Sequence, residues 1–129
     1  MLLIRRSKIQ GKGLFTDAPI AARKKVGEFT GERVSVREAR RRVRNAKRIV
    51  IVEISSTRAI DGSVGGGPFS FVNHSCDPNL FVRIAYGRVE LYALRRIHPG
   101  EELTCDYAES HHNGKLPCAC RSPKCQRFI

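Results

Sequence analysis

The sequence predicts one small, mainly β domain, and three observations carry that expectation. Short apolar runs recur between turn signals over the whole chain. They are "LLI" (2–4), "GLF" (13–15), "IVIVEI" (49–54), "LFVRIAY" (80–86) and "VELYAL" (89–94), several of them alternating or rich in β-branched residues as strands are. Only one window has helical periodicity. The length of 129 residues fits one domain and leaves no room for a second; a chain of this size buries about two thirds of the surface it exposes when unfolded.

Taken in order, "AYGRVELYAL" sets Gly87 and Arg88 between two apolar runs and reads as a hairpin. "DGSVGGGP" and "IHPGEEL" read as loops from their Gly and Pro content. The helix is expected over "SVREARRRVRNAKR" (35–48). Ser35 and Glu38 have capping-box spacing, and Val36, Ala39, Val43 and Ala46 recur as a thin apolar stripe. Seven Lys/Arg cover its other faces, which suits either a solvated surface or a phosphate-binding one.

Composition narrows the class. Apolar residues make up 41% of the chain, which argues against disorder. No apolar run approaches the roughly 20 residues that span a bilayer, and "MLLI" breaks at Arg5 and Arg6, short of a secretory core. An intracellular, reducing setting is therefore expected. The net charge of +12 is uneven. Residues 1–48 hold 15 Lys/Arg against 4 Asp/Glu, whereas residues 49–129 hold 9 against 8. Such an N-terminal excess favours acidic partners such as nucleic acid, or serves solubility alone.

Two clusters carry chemistry. "FVNHSCDPNL" (71–80) brings Asn73, His74, Ser75, Cys76, Asp77 and Asn79 together, too many polar side chains to be unpartnered core. "CACRSPKC" places Cys118, Cys120 and Cys125 near the end of the chain, where a metal clip is an economical way to order a short segment. Structural zinc takes four ligands, so one more is needed, and Cys76, Cys105, His111 and His112 are the candidates. Lys124 and Arg121 favour thiolate in that tail. The alternative is three reduced surface thiols with no metal.

"GKGLF" (11–15), "GEFTGE" (27–32), "NHSCDPN" (73–79), "GEELTCDY" (100–107) and "CACRSPKC" (118–125), in this order, resemble the SET domain family of S-adenosylmethionine-dependent protein lysine methyltransferases. The resemblance implies several small curved sheets, one short helix, a knot-like C-terminal threading and a zinc-binding post-SET tail, with the SET domain over 1–109 and the tail over 110–129. It implies Tyr107 as the catalytic tyrosine and cofactor contacts from the backbone around Gly11, Lys12, Gly13 and Leu14. Asn73 and His74 fall where the family binds the cofactor's adenine end and ammonium group, and Phe128 is the expected lid. It further implies Cys76 as the thiolate completing zinc with Cys118, Cys120 and Cys125, and a lysine channel near Phe29, Phe71 and Cys105.

Three positions depart from the family's commonest residues. Phe29 and Cys105 stand where a Tyr, or a Tyr or Phe, is usual, which leaves room for successive methyl groups. Ser70 replaces an expected Arg, and Cys105 is a thiol whose reactivity alkylation would reveal. The implied substrate is a histone or another basic protein. Approach of such a substrate to a basic enzyme would need local acid, and Glu90, Glu101, Glu102, Asp106 and Glu109 are the candidates. A catalytically idle SET fold that binds nucleic acid through the 35–48 helix is the competing reading. A monomer or homodimer in cytoplasm, nucleoid or chromatin is expected, with no membrane contact.

Overall fold

The computed structural model describes residues 1–44 and 50–106. The described chain is mainly β, as the sequence predicts, and its strands form three small sheets. One sheet contains β1 (Leu2–Arg6), β2 (Lys12–Thr16), β10 (Glu102–Cys105) and β7 (Asn73–His74), in the order β1-β2-β10-β7. The second has β3 (Lys25–Phe29), β9 (Arg88–Ala93) and β8 (Leu80–Ala85), in the order β3-β9-β8. The third has β4 (Glu32–Ser35), β6 (Arg58–Asp61) and β5 (Ile51–Glu53), in the order β4-β6-β5. A single short helix, α1 (Val36–Val43), and a 3-10 turn (Pro68–Phe71) complete the described elements.

The sheets share one apolar centre. Leu14 of β2, Phe29 of β3, Ile60 of β6, Val89 and Leu91 of β9 and Leu103 of β10 are buried in one cluster with Phe69, Leu80 and Cys105. Burying side chains of this size stabilises by about 1.5–3 kcal/mol each. Gly27 of β3 admits the ring of Phe69, since a Cβ there would stand 2.3 Å from it. A satellite cluster of Val34, Val36, Ala39 and Ala59 fastens α1 to the third sheet.

Three local expectations need correction. In the β8–β9 hairpin the two turn residues are Tyr86 and Gly87, at φ 53° and 71°, while Arg88 already pairs with Ala85. Positive φ at both central positions gives the type of tight turn whose twist matches the flanking strands. "IHPGEEL" is not loop throughout, because Glu102 and Leu103 open β10. Loop composition lost there to pairing on both sides, with β2 and β7.

The third correction concerns the helix, which ends at Val43 with Arg44 as its C-cap; residues 45–49 lie outside the described residues. Within α1 the buried residues are Val36 and Ala39, and packing is what sustains most short helices. Ser35 caps it as expected, its hydroxyl accepting from the Glu38 N–H at 3.0 Å. The Glu38 carboxylate accepts instead from Arg41 and Arg42, and these guanidinium groups hold it down to about 2.

Leu103 is wholly buried at the point where the three sheets' side chains meet. Leu103→Ala is expected to lower unfolding free energy by about 2–5 kcal/mol, measured as a shift in urea midpoint at unchanged slope.

Candidate active site

The site is built around β10, which lies between two segments far apart in sequence. On one side β10 runs antiparallel to β2, pairing Glu102 with Phe15 and Leu103 with Leu14. On the other it runs parallel to β7, pairing Thr104 with Asn73 and Cys105 with His74. The Gly-Lys-Gly hairpin, the Asn-His turn and the strand leading to Tyr107 are thereby neighbours. Tyr107 itself lies outside the described residues, as do Phe128, Cys118, Cys120, Cys125, His111, His112 and Glu109. So does the expected boundary between residues 109 and 110.

The loop between β1 and β2 is closed by its own chemistry. The Ser7 N–H donates to the Gly11 carbonyl at 2.7 Å, and Gly11 sits at φ +48°, a conformation glycine adopts without a Cβ clash. A Cβ on Gly11 would meet none of the described residues within 4 Å. Gly13 is different: a Cβ there would lie 2.2 Å from a Glu102 carboxylate oxygen. Its missing side chain makes way for Glu102. Leu14 has its side chain fully buried in the core, which leaves only its main chain to face a ligand.

The polar stretch after Phe71 resolves into specific partners. Asn73 donates its amide to the Gln10 and Lys12 carbonyls, each at 3.1 Å, and to Glu102 at 2.8 Å. Asn79 bridges β10 like an extra strand, donating to the Glu102 carbonyl at 2.8 Å and accepting from the Thr104 N–H at 2.9 Å. The Ser75 N–H donates to the Cys105 carbonyl, and the Ser75 hydroxyl accepts from the Asp77 N–H. Among the described residues no buried side-chain polar atom lacks a partner, as expected when burial without one costs about 1–3 kcal/mol.

His74 is buried between Cys76, whose sulfur is 3.2 Å from Nε2, and Asp106, whose carboxylate is 3.6 Å from Nδ1. Burial lowers the imidazole's pKa below its ordinary value, with Asp106 opposing in part. Cys76 is half-buried. The described residues contain no group of three or more His, Cys, Asp or Glu placed to hold a metal. Cys76 is thus the single member of the expected zinc set that lies within them.

The expected channel residues fall into one apolar cluster: Phe29 and Cys105 are buried in it and Phe71 packs against it. Gly62 lies against the Phe29 ring, where a Cβ would come within 2.6 Å. Ser70, where the family usually has Arg, is buried and donates its hydroxyl to the Gly67 carbonyl at 2.9 Å, closing the 3-10 turn.

Charge is distributed otherwise than the sequence suggested. Of the expected acidic group, Glu90 lies on the second sheet and is paired with Lys25, and Glu101 is paired with Arg95. Glu102 is committed to Ser7 and Asn73, so these acids do not form an open acidic groove. Three of the helix arginines are paired as well. Arg40 pairs with Glu53, Arg41 with Glu38, and Arg42 with Glu32, Glu38 and Asp61. Glu102 as a hub escaped the sequence reading, and the signal for it is the coincidence of an acid in "GEEL" with a glycine that must accommodate it.

Cys105 is buried, and that burial, with Asp106 adding to it, pushes its thiol up to about 12. Alkylation of the native chain with iodoacetamide at about pH 8 is expected to leave Cys105 unlabelled, with rapid labelling after denaturation, as read by peptide mass. Labelling at equal rates in both states would contradict the buried setting.

Comparison with known proteins agrees with this geometry. A profile of the SET domain matches residues 11–108. Histone-lysine N-methyltransferase trithorax of Drosophila virilis is 33% identical over 132 residues, covering 96% of this chain and 3% of that protein. The H3 lysine-4 specific histone-lysine N-methyltransferase of Saccharomyces cerevisiae is 34% identical over 140 residues, covering 99% of this chain and 13% of that protein. Human histone-lysine N-methyltransferase 2B is 36% identical over 135 residues, covering 96% and 5%. The chain therefore spans only a small part of the length of these curated relatives. With the matched profile covering most of its residues, and the glycine hairpin, the Asn-His turn and β10 brought together, the chain belongs to the SET domain family.

Proposed function

We propose that this chain is an S-adenosylmethionine-dependent protein lysine N-methyltransferase acting on a histone or another basic protein. The observation that carries the reading is the pairing of β10 with both the glycine hairpin and the Asn-His turn. The residues present fit the cofactor. No described residue crowds Gly11, and the Asn73 amide nitrogen is engaged while its oxygen has no partner among the described residues. That oxygen is an acceptor suited to an ammonium group. The relatives described above, each named a histone-lysine N-methyltransferase, support the same chemistry.

When bound, the cofactor supplies a sulfonium methyl group. Attack requires a neutral lysine amine, and a side chain with pKa of about 10.4 costs about 4.6 kcal/mol to deprotonate at pH 7. Apolar walls lower that cost by disfavouring the charged ammonium. Phe29, Phe71 and Cys105 are such walls, and the Cys105 thiol, held protonated by burial, adds no negative charge to stabilise the ammonium. Tyr107 is assigned to aiming the amine and the methyl group through its hydroxyl, a positioning role that needs no proton uptake.

Phe29 and Cys105 carry no hydroxyl to hold channel water, so di- and trimethylation are part of the proposal. Cys76 with Cys118, Cys120 and Cys125 is assigned to structural zinc, four thiolates being a suitable donor set. An intracellular location at chromatin, nucleoid or in the cytoplasm goes with such a substrate. No helix among the described residues is long and apolar enough to cross a membrane.

Incubation of a histone panel with labelled cofactor is expected to show transfer by the wild-type chain. Tyr107→Phe is expected to slow that transfer by about a hundredfold or more, the scale of losing one preorganised donor. No transfer by the wild type, together with salt-sensitive DNA binding, would favour the idle reading. In the same panel, intact mass at exhaustive turnover is expected to show di- and trimethylated product. Monomethyl product alone would refute the open-channel assignment.

A further inference from the structure

Asn73 has two amide hydrogens and three acceptors within reach, the Gln10 and Lys12 carbonyls and the Glu102 carboxylate. The carboxylate is the nearest of the three, at 2.8 Å, and its ionised form is the stronger acceptor. Reversing the amide would set its oxygen against three acceptors, so the nitrogen must face them. The oxygen then faces away, on a side chain that is only 9% exposed.

Glu102 is itself held in place. The Ser7 hydroxyl lies 2.8 and 2.9 Å from its two oxygens and accepts from the Ile9 N–H at 2.9 Å. The carboxylate lies so close over Gly13 that no Cβ would fit there. One side chain thereby joins the β1–β2 loop, β10 and β7, although Ser7 and Glu102 are 95 positions apart.

We propose that Glu102 is a positioning residue for the methyl donor. Through Ser7 and Asn73 it fixes the amide so that the Asn73 carbonyl oxygen receives the ammonium group of the donor's amino-acid end. This rests on the cofactor reading above, and it specifies which end of the cofactor the carboxylate governs. The adenosine end has no part in the contact.

The test compares two probes by titration calorimetry on the full chain. S-adenosylhomocysteine carries the amino-acid end, and 5′-methylthioadenosine carries the same adenosine and sulfur without it. Glu102→Ala is expected to weaken S-adenosylhomocysteine binding by about tenfold or more, and 5′-methylthioadenosine by no more than about twofold. Glu102→Gln, which keeps an acceptor oxygen and the shape, is expected to recover most of the loss. Ser7→Ala is expected to shift binding in the same direction by a smaller factor. Where Glu102→Ala does not fold, Ser7→Ala makes the same comparison between the two probes.

Equal weakening of both probes would reduce Glu102 to a support of the fold and overturn the proposal. So would unchanged S-adenosylhomocysteine binding in Glu102→Ala. A wild-type chain that binds neither probe would instead overturn the cofactor reading, and this assignment with it.

Discussion

Everything functional in this chain depends on β10 being paired on both edges. The strand is only Glu102–Cys105, yet it is antiparallel to β2 and parallel to β7, so two motifs distant in sequence converge on it. A parallel partner cannot come from a tight hairpin and has to be brought in by a long connection. The segments between β7 and β10 do this, with β8 and β9 forming a hairpin that contributes Leu80, Val89 and Leu91 to the common core. Burial of Leu103 from β10 in that same core ties pairing to packing.

Short strands gain little from their ladders alone, because each hydrogen bond nets only about 0.5–1.5 kcal/mol. Side chains take up the difference here. Asn79 satisfies two main-chain groups of β10 from a position just before β8, and Asn73 ties β7 to the glycine hairpin. Such a network is favourable when complete and costly when one member is lost, since the remaining buried groups are stranded. The density of polar residues in "NHSCDPN" is therefore partly structural. Ser75 and Asn79 build the turn, and Asn73 joins it to the glycine hairpin.

The basic character of the N-terminal half also has a structural share. Arg42 reaches Glu32, Glu38 and Asp61, joining α1 to β4 and to the end of β6. Arg88 of β9 meets Glu28 of β3, and Lys25 meets Glu28 along its own strand and Glu90 across the second sheet. Pairs that are this exposed contribute little stability singly, and their collective effect is on which faces remain charged. Formal charge counted along a sequence overstates what a partner would meet.

Short apolar runs, several alternating or rich in β-branched residues, marked β1, β2, β5, β8 and β9 from residue type alone, because such side chains fit a pleated, half-buried surface. Ser35 and the start of α1 were legible for a similarly local reason, a hydroxyl one turn ahead of a free N–H. The motifs also singled out Gly11, Gly13, Asn73 and Cys105, whose segments the fold brings together on β10. β7 and β10 were not legible, being short polar-rich segments that are strands only because each has a partner. Nor was the hub role of Glu102, nor the pairing of three helix arginines, since both depend on which distant side chain lies within about 3 Å. Local pattern determines which stretches want to be extended or helical; proximity across the chain, decided by closure of the shared core, determines which polar groups become a site.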